Sequence, residues 1–210
     1  MEGLTNWVVV TGCERLTPGC DNCPTYWNYK AGGLDYHPVM HPEALEVPMH
    51  AESPTPFTVA AGSDLFHEAV TEDFIYKVFE RMRLTPHHYF ELGTKRIERM
   101  VAMSKRGLAW PDNVVAFTGV EESKYKWRID ALREIDAKNK MIMFGPMVGR
   151  VGEIDMTGIG YAGVVVESWG PKPRLIPREW VDEIKTQCIE QGVQITNDTW
   201  LCEEKTNAIR

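Results

Sequence analysis

Apolar runs recur along the chain: Trp7–Val10, Phe57–Ala60, His88–Leu92, Val114–Thr118, Met141–Phe144, Gly163–Val166 and Val193–Thr196. Most are continuous rather than alternating, the pattern of strands buried on both faces of a parallel sheet. Between several of them the apolar positions switch to helical spacing. Thr71 stands where an N-cap belongs, ahead of Phe74, Ile75, Val78, Phe79 and Met82 on one face. Thr94 heads a second such segment, with Ile97, Met100 and Val101 inward. A third spans about 123–138 and turns Ile129, Leu132 and Ile135 inward. A fourth starts at Pro177, buries Trp180, Val181, Ile184 and Cys188, and stops at Gly192. Strands alternating with helices predict a parallel α/β sheet. Six or seven units in 210 residues are too few for a complete eight-unit barrel, which takes about 250 residues. The expected architecture is therefore a partial (β/α)6-type parallel barrel, as one domain over residues 1–210.

The segment 32–56 breaks the rhythm. It holds prolines 38, 42, 48, 54 and 56 and histidines 37, 41 and 50, and it predicts a long loop over one face, a lid. No internal repeat or low-complexity tract is present, and the stretch after Cys202 is polar.

Composition narrows the possibilities. Hydrophobic residues make up 43% and aromatic residues 10%, enough for one well-packed core. A formal net charge of -7 argues against a protein that coats nucleic acid generally. The start, MEGLTNWVVVTGC, lacks the basic residues and long apolar stretch of a signal peptide. No run approaches the ~18 apolar residues of a membrane span. A cytoplasmic protein with no membrane partner is expected. Five cysteines, an odd number, in a reducing compartment read as metal or redox ligands rather than as a disulfide frame.

Three of those cysteines carry the chemistry. Cys13, Cys20 and Cys23 lie in TGCERLTPGCDNC with the spacing C-x6-C-x2-C, and the next cysteine is Cys188. A closed structural zinc site takes four ligands, so three thiolates leave a coordination position open. Each predicted strand also runs out into polar or glycine-bearing residues. These exits are Thr11–Cys13, Gly62–Asp64, Thr94–Arg96, Gly119–Glu122, Gly145–Pro146 and Glu167–Gly170. In parallel α/β folds all such exits share one face, where active sites sit. The cysteine loop follows the first strand and shares that face.

These residues resemble the phage Gp37/Gp68 (DUF5131-like) family, a domain of unknown function with radical-SAM-like character. The likeness is carried by TGCERLTPGCDNC, by SDLFHEAVTEDFI with LTPHHYFELGTKRIERM, and by WPDNVVAFTGVEE and PREWVDEIKTQCIEQGV, from about Trp7 to Val193. Two departures stand out. Pro24, Thr25 and Tyr26 replace the family's Tyr-Ala-Glu, and the late glycine-rich step keeps only Glu167 and Ser168 of its polar core.

The resemblance implies a [4Fe–4S] cluster on Cys13, Cys20 and Cys23, with S-adenosylmethionine (SAM) at the open iron. Gly12 and Gly19 would let the backbone wrap the cluster closely. Gly12, Asp64, Glu121 and Ser168 are then cofactor-binding candidates, and Lys95 and Glu167 catalytic ones. Each has a plainer reading. Asp64 and His67 equally well brace the next helix. Lys95 and Arg96 suit a bound carboxylate or phosphate, or a solvated helix start. Of Glu121 and Glu122, at least one reads as a helix N-terminal charge. Cys188 reads as core, Cys202 as part of the polar end, and Trp127, Trp180 and Trp200 as packing. A zinc reading would recruit His37 or His41.

The family setting implies a phage-encoded isomerase that rearranges an amino-acid-modified thymine in DNA hypermodification, supplied by an external electron donor. Lys95, Arg96, Arg99, Lys105 and Arg106 form the cluster that would meet phosphate. The alternatives are a radical SAM enzyme on a free nucleotide or deazapurine metabolite, and a non-catalytic zinc-binding interaction protein.

Overall fold

The computed structural model describes residues 4–165, 167 and 173–197. In chain order the elements are β1 (Thr5–Trp7), β2 (Val10–Thr11), α1 (Pro24–Ala31), β3 (Val39–Met40), α2 (Val47–His50), β4 (Pro56–Val59), α3 (Glu72–Leu84), β5 (Tyr89–Thr94), α4 (Ile97–Lys105), β6 (Val114–Gly119), α5 (Trp127–Arg133), β7 (Asn139–Phe144), β8 (Tyr161–Val164), α6 (Arg178–Glu190) and β9 (Gln194–Asn197). Seven strands form one sheet in the order β1-β4-β5-β6-β7-β8-β9, and β2 with β3 forms a separate pair. Every pairing in the large sheet is parallel. The protein is thus a mixed α/β fold on an open, singly wound parallel sheet. Among the described residues no pairing closes β9 onto β1.

The winding follows from the apolar pattern. β6 buries Val114, Val115 and Ala116 in succession, which only a strand covered on both faces tolerates. Strand order follows chain order, so each crossover steps the same way, and right-handed crossovers carry the connecting helices to one side. α3 is capped as its sequence predicts: Thr71 Oγ1 accepts from the Phe74 amide at 3.3 Å. Its Phe74, Ile75, Val78, Phe79 and Met82 are buried, as are Val181, Ile184 and Cys188 of α6. One continuous cluster of buried side chains runs from Trp7 to Val193. No helix among the described residues is long and apolar enough to cross a membrane.

Five expectations need correction. The run Trp7–Val10 is not one strand. The Trp7 carbonyl accepts from both Val9 and Ala60 amides, which turns the chain out of the sheet after Trp7. Val10–Thr11 then pairs antiparallel with Val39–Met40. Thr94 does not cap α4; it ends β5, and its hydroxyl donates to Asp64 Oδ1 at 2.7 Å while accepting from the Arg96 amide. The helix expected over 123–138 is shorter: Ser123–Tyr125 is a 3-10 turn and α5 ends at Arg133. Bonds from Glu134 and Ile135 to residues three back tighten its end, and Ser104 Oγ takes the Asp136 amide. The strand expected at Gly163–Val166 is β8, Tyr161–Val164, and Val166 lies outside the described residues.

The segment 32–56 is not a structureless loop. It holds β3, a 3-10 helix Pro42–Glu46, and α2. Pro42 and Pro48 sit in the first turns of the two helices, where a missing N–H costs nothing. Leu45 is buried, Trp7 Nε1 donates to the Ala44 carbonyl at 2.7 Å, and His88 Nε2 lies 2.9 Å from the Pro48 carbonyl.

Candidate metal centre

The cysteine loop leaves β2 at Gly12, makes a 3-10 turn over Pro18–Cys20, and enters α1 directly after Cys23. Gly12 has φ +75, and a Cβ there would lie 2.0 Å from the His37 carbonyl oxygen. Only glycine lets the loop run against the 36–37 backbone, where the Cys13 amide donates to the Tyr36 carbonyl. Cys13, Cys20 and Cys23 are free and half-buried. After burial itself, the nearby charges of all three thiols push the Tyr36 hydroxyl above its ordinary pKa.

Each sulfur has its own polar neighbour, from a different direction. Arg96 Nη1 donates to Cys13 Sγ at 3.8 Å. Lys95 Nζ donates to Cys20 Sγ at 3.6 Å, with Thr17 Oγ1 at 3.7 Å from the same sulfur. Cys23 Sγ lies 4.0 Å from Tyr36 Oη. The Tyr36 proton is donated to the Gly62 carbonyl at 2.5 Å, so the Cys23 thiol is the donor in that pair. Lys95 and Arg96 are neighbours at the exit of β5, yet each reaches a different cysteine.

Behind Lys95 is Glu121, at the exit of β6 and fully buried. Its Oε1 accepts from Lys95 Nζ and from Thr17 Oγ1, and its Oε2 lies 3.4 Å from Arg128 Nη1. Arg128 also donates to the Gly119 carbonyl at 2.8 Å and lies over the Tyr125 ring at 4.4 Å. Gly19 is needed here for closeness: a Cβ on it would stand 2.2 Å from Glu121 Oε1. Behind Arg96 are Asp64, at 3.0 Å from Nη1, and the exposed Glu68, at 2.9 Å from Nε. His67 is buried beside them. Its Nδ1 accepts from the Ala69 amide, and its Nε2 has no hydrogen-bond partner among the described residues, with Glu14 Oε2 at 3.6 Å.

Outside the loop, Glu167 and Arg174 form a clasp. Arg174 donates to both Glu167 oxygens through Nε and Nη2, and to the Pro18 carbonyl at 2.6 Å. Asn22 Nδ2 and the Arg174 amide complete the Glu167 shell at 2.7 and 2.8 Å. Glu167 therefore faces the cysteine loop, as its place after β8 predicts, with both oxygens engaged.

The electrostatics split the loop. Burial, helped by Asp64, pushes the Cys13 thiol up to about 11 against the pull of Arg96. Burial also works to raise Cys20, but the Lys95 charge and hydrogen bonds from Leu16 and Thr17 outweigh it and hold that thiol below its ordinary value. Burial pushes the Asp64 carboxyl up, against bonds from Thr94, Arg96 and the Phe66 amide. Burial and the nearby Arg96 charge hold His67 below the ordinary histidine value.

Of the sequence candidates, the fold brings together Gly12, Cys13, Cys20, Cys23, Asp64, Lys95, Glu121 and Glu167. Ser168 and Cys202 lie outside the described residues. Glu122 points away and pairs with Lys124 at 2.6 Å. Cys188 is buried in the core, where burial raises its thiol to about 11. His41 is held on both ring nitrogens, by Thr11 at 2.7 Å and Glu43 at 3.0 Å. The five basic residues do not make a free cationic face. Lys95 and Arg96 turn inward, Arg99 donates to the carbonyls of Phe66, His67 and Val70, Lys105 pairs with Glu134, and Arg106 with Glu72. Among the described residues no three His, Cys, Asp or Glu side chains are gathered tightly enough to hold one metal ion. Sequence reasoning missed Thr17, Asn22, Tyr36, Arg128 and Arg174. Only Tyr36 carried a signal, as an aromatic residue in the proline-rich segment next to the loop.

Residues 4–206 match the family described as "Protein of unknown function (DUF5131)". The chain belongs to this family. No curated protein and no solved structure matches the chain. All of the described fold, the cysteine loop and the clasp included, lies within the matched span, so this architecture is that of a DUF5131 member.

Proposed function

We propose that this DUF5131 protein is a radical SAM enzyme of the phage Gp37/Gp68 type, with a [4Fe–4S] cluster on Cys13, Cys20 and Cys23. The carrying observation is that one loop at the strand exits presents three free, half-buried thiols, each with a polar neighbour from the surrounding fold, while Cys188 is sealed in the core. That donor set fits a cluster with one open iron better than a closed four-ligand site. Of the two histidines that a zinc reading would recruit, His41 has both ring nitrogens engaged. The sequential parallel strand order supports reading the sheet as a partial barrel of the radical SAM type.

Such a cluster, with SAM at its open position and an electron from an external donor, supplies a carbon radical able to take hydrogen from an unactivated C–H bond. The chain's own residues hold the site. Gly12 and Gly19 permit the close wrapping, and Lys95 and Arg96 place positive charge against the thiolates. Tyr36 and the Glu167–Arg174 clasp fix the loop from outside. The favoured substrate is an amino-acid-modified thymine, rearranged without change of mass. The engagement of all five candidate cations weakens the case for duplex binding and favours contact confined to the base. A reducing, cytoplasmic setting keeps the three thiols available.

The test is anaerobic reconstitution with iron and sulfide. The expected result is a brown protein with matched iron and sulfide, lost in Cys13→Ala, Cys20→Ala and Cys23→Ala and kept in Cys188→Ala. It should release 5′-deoxyadenosine from SAM under a reductant. Zinc without sulfide in anaerobically isolated protein would overturn the reading. Nucleoside digestion with mass spectrometry separates modified DNA from a free nucleotide as substrate.

A further inference from the structure

Lys95 and Arg96 are adjacent in sequence and each donates to a different cysteine sulfur, at 3.6 and 3.8 Å. Their backing is not the same. Lys95 belongs to a group of two cations and one carboxylate, since Glu121 lies between Lys95 and Arg128. That group is net positive, and its Glu121 is fully buried. Arg96 belongs to a group of one cation and two carboxylates, Asp64 and Glu68. That group is net negative, so the charge Arg96 presents to Cys13 is cancelled from behind.

Reducing a cluster adds one negative charge to it, delivered by an external one-electron reductant, with no bond made or broken in the protein. A net positive group against one thiolate favours the reduced state, and burial keeps the interaction from being screened. Hydrogen bonds to cluster sulfurs act in the same direction. The cancelled group on Cys13 has little such leverage.

We propose that Lys95, acting on the Cys20 sulfur, sets the reduction potential of the cluster, with Glu121 and Arg128 positioning it and fixing the sign of its group. The inference rests on the iron–sulfur reading above and deepens it.

The test is a mediated redox titration of the reconstituted cluster, followed by electron paramagnetic resonance, in Lys95→Met, Lys95→Arg and Glu121→Gln. In Lys95→Met, poised at the wild-type midpoint, the ratio of reduced to oxidised cluster should fall about tenfold. For a one-electron couple that is a shift of about 59 mV downward. Lys95→Arg should restore most of it. Glu121→Gln removes a negative charge and should move the potential upward. Opposite signs for Lys95→Met and Glu121→Gln are the mark of charge tuning, because loosened packing would move both the same way. Equal potentials in all variants, or a shift of one sign in both, would overturn the inference while leaving the cluster reading intact. Wild-type protein that takes up no cluster would overturn the reading itself.

Discussion

The cysteine loop is held from two sides that are built differently. Its inner wall is Lys95, Glu121 and Arg128, carried at the exits of β5 and β6 and at the start of α5. There Glu121 and Arg128 are buried and Lys95 is only 22% exposed. The outer clasp is Glu167 with Arg174, which reaches back to Pro18 and Asn22, and Arg174 is 32% exposed. Both sides use a carboxylate held by an arginine or lysine. The inner one is locked by neighbouring parallel strands in a low-dielectric setting. The outer one closes late in the chain and meets water. The two sides differ in where their cations sit: the wall keeps Arg128 out of water, and the clasp leaves Arg174 partly in it.

The largest way to break the comparison is from the wall. Glu121→Ala leaves Lys95 and Arg128 facing each other without their carboxylate. Removing one partner of a buried pair costs about 3–5 kcal/mol. Urea denaturation should show a loss of that size, together with faster alkylation of Cys20 in metal-free protein.

The clasp should yield less. Arg174→Ala strips the Glu167 carboxylate of its cation and frees the Pro18 carbonyl. Hydrogen bonds to a charged group contribute about 1.5–3 kcal/mol, reduced here by the partial exposure of Arg174. Alkylation of Cys20 and Cys23 should accelerate while Cys188 stays protected; unchanged rates would mean that the clasp does not restrain the loop.

A pH series sharpens the same side. Burial works to raise Glu167, but its bonds from Arg174 and Asn22 prevail and hold it below the ordinary glutamate value of 4.5. A carboxyl depressed in the folded state binds fewer protons there than in the unfolded chain. Its contribution is therefore present above 4.5 and is lost as pH falls through the folded value. Wild type should lose more stability than Glu167→Gln on going from pH 6 to pH 3, and parallel losses would remove the clasp from the acid response.

The smallest effect is a control outside both regions. Thr71→Ala removes the α3 cap and should cost about 1 kcal/mol, with no change in cysteine alkylation.

How much was legible differs by element. β6 and β7, α3 and α6 could be read because burial on both faces leaves continuous apolar runs, and one-sided burial leaves a helical stripe. Thr94 was misread because a threonine before a helical pattern looks like a cap, and only the approach of Asp64 turns its hydroxyl elsewhere. The prolines of 42–48 look like loop breakers in the sequence, although the first turn of a helix favours them equally. The three cysteines of the loop and its two glycines were visible, while the roles of Thr17 and Asn22 within it were not. Arg174 was not, because its partner Pro18 lies 156 residues away in sequence.

By itself the sequence determined the α/β class, the parallel sheet, the three-cysteine loop and the face on which that loop emerges. Periodicity and spacing are local, and strand exits share a face in any parallel α/β sheet. Only the tertiary structure decided which cation meets which sulfur, which carboxylate backs it, and what closes over the loop. Those depend on distances between exits far apart in the chain, and on burial strong enough that a single charge is not screened.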